Sequence, residues 1–262
     1  MLPAVIPLKD DNPTRRFPII TVLLILLNIG VYVFVQRPFD QGTSQARLSY
    51  EVAAIPCEVV QGRPLTDDEV TRTIEFDDAT ACETGANRTG EPVFPNKSVW
   101  LAVLYSMFLH GGLLHIGGNM LFLWIFGNNI EDRMGVAGYL GFYLLAGLVA
   151  SAAHILAQPN STVPVVGASG AIAGVMGAYL VLFPNVRIRS LLILVFLVLF
   201  RDIPAKWLLG FWFVTQFFTQ GSGGVAWVAH VGGFAFGALL AFFLRDRLRP
   251  SKVTDVEPSP MY

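Results

Sequence analysis

Charged residues are scarce in this sequence. Asp, Glu, Lys and Arg make up only 14% of its 262 residues, whereas soluble domains carry about 25%. With 53% hydrophobic residues and a mean hydropathy of +0.55, this deficit places the chain among membrane proteins. The GxGxxG, P-loop and CxxC patterns are missing, and the only basic cluster is a short C-terminal flank. We therefore expect no cofactor, no metal and no nucleic-acid partner.

We also expect no cleavable signal peptide. The first apolar run is about 20 residues long, which suits a spanning helix, and no small-residue cleavage site follows it. Six runs of spanning length are predicted, at residues 17–36, 112–130, 136–157, 168–183, 204–219 and 226–244. A seventh run, 191–200, would reach only about 15 Å as a helix. We interpret it as a short interfacial or half-inserted segment.

The basic residues indicate the orientation of these spans. With six spans, every basic cluster falls on the cytoplasmic side, and the uncharged segments 158–167 and 220–225 fall outside. A seventh span would place the C-terminal arginines outside. The clusters are Lys9 with Arg15 and Arg16, Arg187 with Arg189, and Arg245 with Arg247, Arg249 and Lys252. The sequence thus predicts an all-α polytopic protein of the plasma membrane, a six-transmembrane-helix bundle with both termini in the cytoplasm.

The predicted organisation has five parts. They are a cytoplasmic segment 1–16, the first transmembrane helix 17–37, an external acidic loop 38–97, a core 98–244 with helices two to six, and a disordered cytoplasmic tail 245–262. The loop carries 11 acidic and 5 basic residues and both cysteines, Cys57 and Cys82. An oxidising exterior would permit one disulfide, but spacing alone leaves two free thiols open as the alternative.

Polar side chains inside predicted spans are candidate functional residues, because they are expensive to place in lipid. His115 and Asn119 begin the second span and share one helical face at their i, i+4 spacing, with His110 just before them. Ser169 begins the fourth span, and His230 lies one turn into the sixth. In the six-span topology these residues reach a common depth below the outer surface. Unrelated packing roles would not produce that agreement.

Each of these residues alone also has a packing interpretation. A serine beside glycine commonly packs between helices, and His230 or Asn119 would serve as interhelical hydrogen-bonding groups. The GxxxG sequences at residues 170–174 and 233–237 predict close contact between the fourth and sixth helices. The same contact would bring Ser169 within hydrogen-bonding distance of His230. The packing role and a chemical role are therefore compatible.

A serine next to an imidazole is suited to acyl transfer. No Asp or Glu lies inside a predicted span, so a hydrolase would use a Ser–His dyad, with His230 oriented by packing or by a neutral partner that the sequence does not identify. The nearest carboxylates, at cytoplasmic ends, are Glu131, Asp132 and Asp202. An oxyanion would need donors, which the side chains of Asn119 and His115 and the Ser169 amide at a helix N-terminus can supply.

Three motifs together resemble the rhomboid family of intramembrane serine proteases. GASGA at 167–171 resembles the family's GxSG nucleophile motif, HGGLLHIGGN at 110–119 resembles its H-x4-H-x3-N motif, and AHVGGFAFG at 229–237 resembles its histidine helix. Their order, the six-helix count and the missing carboxylate also match. The resemblance covers about residues 98–244 and implies a rhomboid-like bundle. The long external loop predicted between helices one and two lies outside the resemblance.

The resemblance implies roles for the candidate residues. Ser169 would be the nucleophile and His230 the general base, while Asn119 and His115 would serve the oxyanion hole. His110 would support the site, and Gly167 belongs to the motif before the serine. The fifth helix would act as a lateral gate for a substrate's transmembrane segment. Some members carry an aromatic residue four positions after the serine, packed on the histidine, where this chain has Ala173. We interpret His154, which matches no motif, as an interfacial residue.

The predicted function is that of an intramembrane serine endopeptidase. Its partners would be transmembrane protein substrates in the lipid bilayer, and its site would open to the external side, where water can enter. We expect substrates whose helices are weakened by Gly, Pro or small residues. One alternative is a catalytically inactive rhomboid-like protein that binds transmembrane clients, and another is a transporter or metal site using His110, His115 and His230. The sequence leaves the oligomeric state open.

Overall fold

The computed structural model describes residues 4–38, 45–84, 89–194, 197–218 and 226–248. Most of these residues are helical. The helices are α1 (Ile19–Gly30, continued by a π-helical segment Val31–Gln36), α2 (Gln45–Val52), α3 (Pro56–Gln61), α4 (Asp67–Glu75), α5 (Val99–Ser106), α6 (Leu113–Phe122, continued by a π-helical segment Leu123–Gly127), α7 (Asn128–Ala157), α8 (Ser169–Leu182), α9 (Ala205–Gln216) and α10 (Trp227–Leu248). The strands are β1 (Ala4–Asp10), β2 (Arg187–Leu194) and β3 (Leu197–Pro204).

Three helical stretches are long and apolar enough to cross a membrane, namely Ile19–Gln36, Leu113–Ala157 and Trp227–Leu248. The second of these is 45 residues long and is broken at Gly135, where φ is 72° and ψ is 170°. Glycine adopts a positive φ without the penalty that a Cβ atom brings. The break lies between the second and third predicted runs, which end at 130 and begin at 136.

Helix α8 lies at the centre of the bundle. Eleven of its 14 residues are buried, and it packs against α7 and α10. A Cβ atom on Gly233 would collide with the carbonyl oxygen of Gly170, and one on Gly237 would collide with that of Gly174. The predicted close contact of the two GxxxG sequences is confirmed. Because lipid tails are as apolar as the side chains, such backbone-to-backbone packing is what holds membrane helices together.

The prediction of an all-α fold is wrong in one respect. β1 pairs antiparallel with β2, and β2 with β3, so that residues 191–194 and 197–200, expected in a short interfacial or half-inserted segment, lie in strands. A ten-residue apolar run rich in Leu, Val and Ile fits a strand as well as a helix, and periodicity cannot separate the two. β1 comes from the predicted N-terminal segment. The sheet follows the end of α8, opposite to the end where Ser169 lies.

The acidic segment folds into a small unit, which we call the loop unit (residues 45–84 and 89–97). It comprises α2, α3 and α4 around a core that includes Tyr50, Ile55 and Leu65. A disulfide joins Cys57 to Cys82, which decides between the two alternatives that the sequence left open. The predicted loop is therefore a folded element rather than a simple connection.

The predicted start of the tail at residue 245 is also corrected. α10 continues to Leu248, and the Arg245 guanidinium lies 4.6 Å from the centre of the Phe242 ring. Cations in the last turn of a helix interact favourably with its dipole, so the helix continues beyond its apolar residues. The rest of the predicted tail, 249–262, and the predicted uncharged segment 220–225 lie outside the described residues.

Candidate active site

The structure brings Ser169 and His230 together. Ser169 is the first residue of α8, and His230 lies in the first turn of α10. The distance between Ser169 Oγ and His230 Nε2 is 2.7 Å, a short hydrogen bond. The contact exists because the small residues of both helices let their backbones approach closely just beyond it. A hydroxyl and an imidazole at this distance can exchange a proton.

The residues before Ser169 form a tight turn that requires glycine. Gly167 has a φ of +134°, and its N–H donates a hydrogen bond of 2.9 Å to the carbonyl oxygen of Ser106. A Cβ atom at Gly167 would lie 2.9 Å from Nε2 of His115 and 3.3 Å from Ser169 Oγ. Glycine at this position therefore permits both the backbone conformation and the approach of His115 to the serine.

Ser169 and His230 face a cavity of about 360 Å³. The residues that line it are Leu114, His115, Gly118, Asn119, Phe122, Val166, Ser169, Ile172, Met176, Trp212, Ala226 and His230. Asn119 Nδ2 is buried and has no hydrogen-bond partner among the described residues. His115 Nδ1 accepts a hydrogen bond of 3.2 Å from the Gly111 N–H, so that Nε2 is the nitrogen free to carry a proton towards the cavity. Both predicted oxyanion residues thus share one cavity with the serine.

His110 lies beside the cavity and is only 1% exposed. Its ring meets that of His115 edge-on, with 5.2 Å between the ring centres. Gln36, at the end of the first helical stretch, accepts a hydrogen bond of 2.9 Å from the His110 N–H and donates one of 2.8 Å to the His110 carbonyl oxygen. Sequence reasoning missed Gln36, although an amide at the end of an apolar run is a signal that could have found it.

Helix α9 holds His230 from the side opposite to Ser169. Gln216 Oε1 lies 2.7 Å from His230 Nδ1, and the ring centre of Trp212 lies 5.8 Å from that of the imidazole. Ala173, in place of an aromatic residue, is buried and too small to hold a ring. Sequence reasoning allowed a neutral partner for His230 but named only the carboxylates near the spans, and so missed Gln216. A buried glutamine in an apolar helix is itself a polar signal of the same kind.

The loop unit is bonded to the segment that leads to Ser169. The Cys57 N–H donates to the Ser161 carbonyl oxygen at 2.9 Å, and the Val165 N–H donates to that of Ala54 at 2.8 Å. The Ala54 N–H in turn donates to Ser106 Oγ at 2.6 Å. Since Ser106 also accepts from Gly167, it joins the loop unit to the turn before the serine. No pattern in the sequence pointed to these pairings.

The carboxylates and the fourth histidine lie outside the cavity wall. Glu131 accepts hydrogen bonds of 2.8 and 2.9 Å from the backbone N–H groups that begin α1. Asp10 accepts one of 2.8 Å from Tyr179, which lies ten residues, or about 15 Å, along α8 from Ser169. His154, predicted as interfacial, is buried, with only 6% of its surface exposed.

The protein is thus a helical membrane protein in which a serine and a histidine are hydrogen-bonded between apolar helices. Residues 97–247, more than half of the chain, match the rhomboid domain family. The chain therefore belongs to the rhomboid family and is a multi-pass membrane protein.

Several rhomboid proteins are similar in sequence to this chain. Rhomboid protein 1, mitochondrial, of Saccharomyces cerevisiae is 28% identical over 152 residues, which cover 55% of this chain and 42% of the yeast protein. The rhomboid protease GluP of Bacillus subtilis is 40% identical over 81 residues, 31% of this chain and 15% of GluP. The presenilin-associated rhomboid-like protein, mitochondrial, of Bos taurus is 30% identical over 152 residues, 54% of this chain and 37% of the bovine protein. The chain thus spans less than half of each of these relatives.

Proposed function

We propose that this protein is an intramembrane serine endopeptidase that hydrolyses peptide bonds in or near transmembrane segments. The observation that carries the proposal is the 2.7 Å contact between Ser169 Oγ and His230 Nε2 at the wall of a cavity. Membership of the rhomboid family, which includes relatives named as proteases, supports it. An intact Ser–His pair also favours catalysis over the alternative of an inactive client-binding protein.

In the proposed reaction His230 Nε2 accepts the proton of the Ser169 hydroxyl as Oγ attacks the substrate carbonyl carbon. The tetrahedral intermediate collapses when the peptide C–N bond breaks, and the imidazolium returns the proton to the leaving amine. Water, activated by the same imidazole, then attacks the acyl-enzyme ester and releases the carboxyl product and the free serine. The dyad is therefore regenerated with no net change in its protons.

The developing oxyanion would be stabilised by three donors. Asn119 Nδ2 is buried without a partner beside the cavity, and an unpaired donor of this kind is costly unless a ligand or intermediate completes it. His115 Nε2 and the Ser169 backbone N–H complete the set. The serine amide belongs to the first turn of α8, where backbone N–H groups have no intrahelical acceptor.

The proposal includes the six-span topology of a plasma-membrane protein, with cytoplasmic termini and a cavity that opens to the external side. Water would reach the site from there, as hydrolysis requires. Helix α9 carries exposed aromatic side chains, among them Trp207 and Phe211, and would form the lateral gate for a substrate helix, with Phe217 just beyond its end. A substrate must also unwind locally to expose a carbonyl, so helices weakened by Gly, Pro or small residues should be preferred.

The test is cleavage of a single-span test substrate by the purified protein in liposomes. We expect cleavage by the wild type and by Ser98→Ala, a matched change at an exposed serine, and a loss of about 10³-fold or more in Ser169→Ala and His230→Ala. Cleavage that persists in Ser169→Ala would overturn the assignment. Substrate binding without cleavage by the wild type would establish the client-binding alternative instead.

A further inference from the structure

We propose that Gln216 is a positioning residue that fixes the tautomer of His230 and so makes its Nε2 atom a base. The inference rests on the proposed function, in which His230 accepts the proton of Ser169. A dyad without a carboxylate leaves open which imidazole nitrogen carries the hydrogen. In the Ser-His-Asp arrangement, the carboxylate decides this by accepting from Nδ1–H. In this chain the neutral amide of Gln216 occupies that position.

The geometry places the imidazole between two oxygen atoms. His230 Nδ1 lies 2.7 Å from Gln216 Oε1, and Nε2 lies 2.7 Å from Ser169 Oγ. Gln216 is the last residue of α9 and is 6% exposed. Among the described residues, the cavity wall includes Trp212 and His230 but not Gln216. The amide therefore contacts the base without lining the space that a substrate would occupy.

The direction of the Gln216 amide follows from its other contacts. Its Nε2 atom donates a hydrogen bond of 3.0 Å to the carbonyl oxygen of Trp212 and lies 3.5 Å from Thr215 Oγ1. A carbonyl oxygen can only accept, so a flipped amide would set two acceptor oxygens against each other. The orientation with Oε1 towards His230 is thus the one that satisfies the backbone of α9.

This orientation determines the protonation of the imidazole. Oε1 can only accept, so Nδ1 must carry the hydrogen in the neutral ring. Nε2 then presents a lone pair to the Ser169 hydroxyl, as a general base must. With the opposite tautomer, Nε2–H would donate to Ser169 Oγ and could not remove its proton. The Trp212 carbonyl, the Gln216 amide, His230 and Ser169 therefore form one directed chain of hydrogen bonds.

The first test separates positioning from binding by kinetics of the full-length protein in liposomes. Gln216→Met keeps the length of the side chain and removes its acceptor. We expect kcat to fall by about 10- to 100-fold, below the 10²- to 10⁴-fold range of general-base catalysis, with KM within about twofold. Gln61→Met, the same change at an exposed position of the loop unit, should leave both unchanged. Wild-type kcat in Gln216→Met would overturn the inference.

A conservative variant shows whether the loss in Gln216→Met comes from the missing acceptor or from a general disturbance of the structure. Gln216→Glu keeps an acceptor oxygen for Nδ1–H whether the carboxyl group is ionised or protonated. We expect its kcat to exceed that of Gln216→Met by about fivefold or more, with both variants assayed at a temperature at which they remain folded. Equal losses in the two variants would contradict a role through the acceptor.

The second test reads the tautomer directly and does not depend on catalysis. In ¹⁵N-histidine-labelled Ser169→Ala protein, the His230 resonances, assigned by their loss in His230→Ala, should show a protonated Nδ1 and a lone pair on Nε2. Gln216→Met should give a mixture of tautomers. If the wild type does not cleave but the tautomer is fixed, the proposed function fails and the inference about His230 stands. A Ser169→Ala protein with Gln216 intact and Nε2 of His230 protonated would overturn the inference whatever the activity of the wild type.

Discussion

The helical bundle and the loop unit are stabilised by different means. Around α8, glycine and alanine let backbones touch, as where Gly170 meets Gly233, and polar contacts are few. The loop unit instead has a disulfide and several ion pairs, among them the more buried pairs Lys97 with Glu58 at 2.5 Å and Arg63 with Glu69 at 2.7 Å. A short segment cannot bury enough apolar area to fold by itself and needs such cross-links.

The difference matters because the two regions meet at the candidate nucleophile. The bundle sets the distance from Ser169 to His230, whereas the loop unit holds the turn before Ser169 through Ser106. Damage to bundle packing should therefore abolish the site. Damage to the loop unit should first lower the stability of that unit. It should lower activity only as far as it displaces the turn before Ser169.

The largest effect is expected from Gly233→Leu. The added Cβ atom would collide with the carbonyl oxygen of Gly170, and a backbone atom cannot move aside as a side chain can. α8 and α10 must separate, so we expect cleavage of the test substrate to fall more than about 100-fold. Gly141→Leu in α7, where nothing lies within 4 Å of an added Cβ, is the control and should retain activity. Similar losses in both variants would show that lipid insertion, not this contact, is disturbed.

The next effect concerns the buried ion pair of the loop unit. Lys97 and Glu58 are each 2% exposed, and burial raises the pKa of Glu58 and lowers that of Lys97. Lys97→Met leaves the Glu58 carboxylate without its partner, so we expect the unfolding free energy of the loop unit to fall by about 3–5 kcal/mol. Proteolysis within residues 45–97 along a urea series measures this. The double variant Lys97→Met/Glu58→Leu should recover most of the lost stability, because no unpaired carboxylate is then buried. If it were as unstable as Lys97→Met alone, the unpaired charge would not be the cause of the loss.

Removal of the disulfide should cost slightly less. Cys57 and Cys82 are 25 residues apart, and a closed loop of this length contributes about 3 kcal/mol by restricting the unfolded chain. In the Cys57→Ser/Cys82→Ser variant we expect that decrease in the same urea series, with cleavage reduced far less than in Gly233→Leu. A loss of cleavage as large as that of Gly233→Leu would mean that the loop unit, not the bundle, sets the geometry of the site.

The smallest effect is a pH dependence confined to the loop unit. Burial tends to raise the pKa of Glu69, but hydrogen bonds from Arg63 and from the Thr66 and Glu83 N–H groups outweigh it and lower the pKa. A carboxyl group whose pKa is lowered in the folded state stabilises the fold at pH values above its unfolded pKa of about 4.3. This stabilisation is lost as the pH falls through the lowered pKa of the folded state.

Burial raises the pKa of Glu58, so this group changes the stability of the loop unit with pH in the opposite direction. Glu69→Gln removes only the contribution of Glu69, and the difference between the wild type and this variant therefore isolates it. Between pH 6 and pH 3 the urea midpoint of the wild-type loop unit should fall more than that of Glu69→Gln. Parallel curves for the two proteins would contradict the assignment.

The sequence predicted the bundle better than the loop unit. Apolar runs gave the helices, and the GxxxG sequences at 170–174 and 233–237 gave the contact that places Ser169 beside His230. Packing between small residues repeats along a helix and so can be read locally. The pairing of Ser161 with Cys57, and of β1 with β2, depends on partners far apart in the chain. Neither leaves a local pattern, so neither could be predicted.

Gln216 shows a different limit of sequence reasoning. Its type was visible inside an apolar run, but only the fold shows that its amide faces His230 and not lipid. The sequence allowed a neutral partner for His230, since an amide oxygen can accept from an imidazole N–H as a carboxylate does, but it did not show which residue this is.

The most direct test of the central claim is the position of a covalent adduct. The wild-type protein in liposomes is treated with a fluorophosphonate, and its peptides are analysed by mass spectrometry. The dyad predicts modification at Ser169 alone, lost in His230→Ala because the hydroxyl is then not activated. A protein that cleaves its substrate with Ser169 unmodified, or with the adduct on another serine, would contradict it.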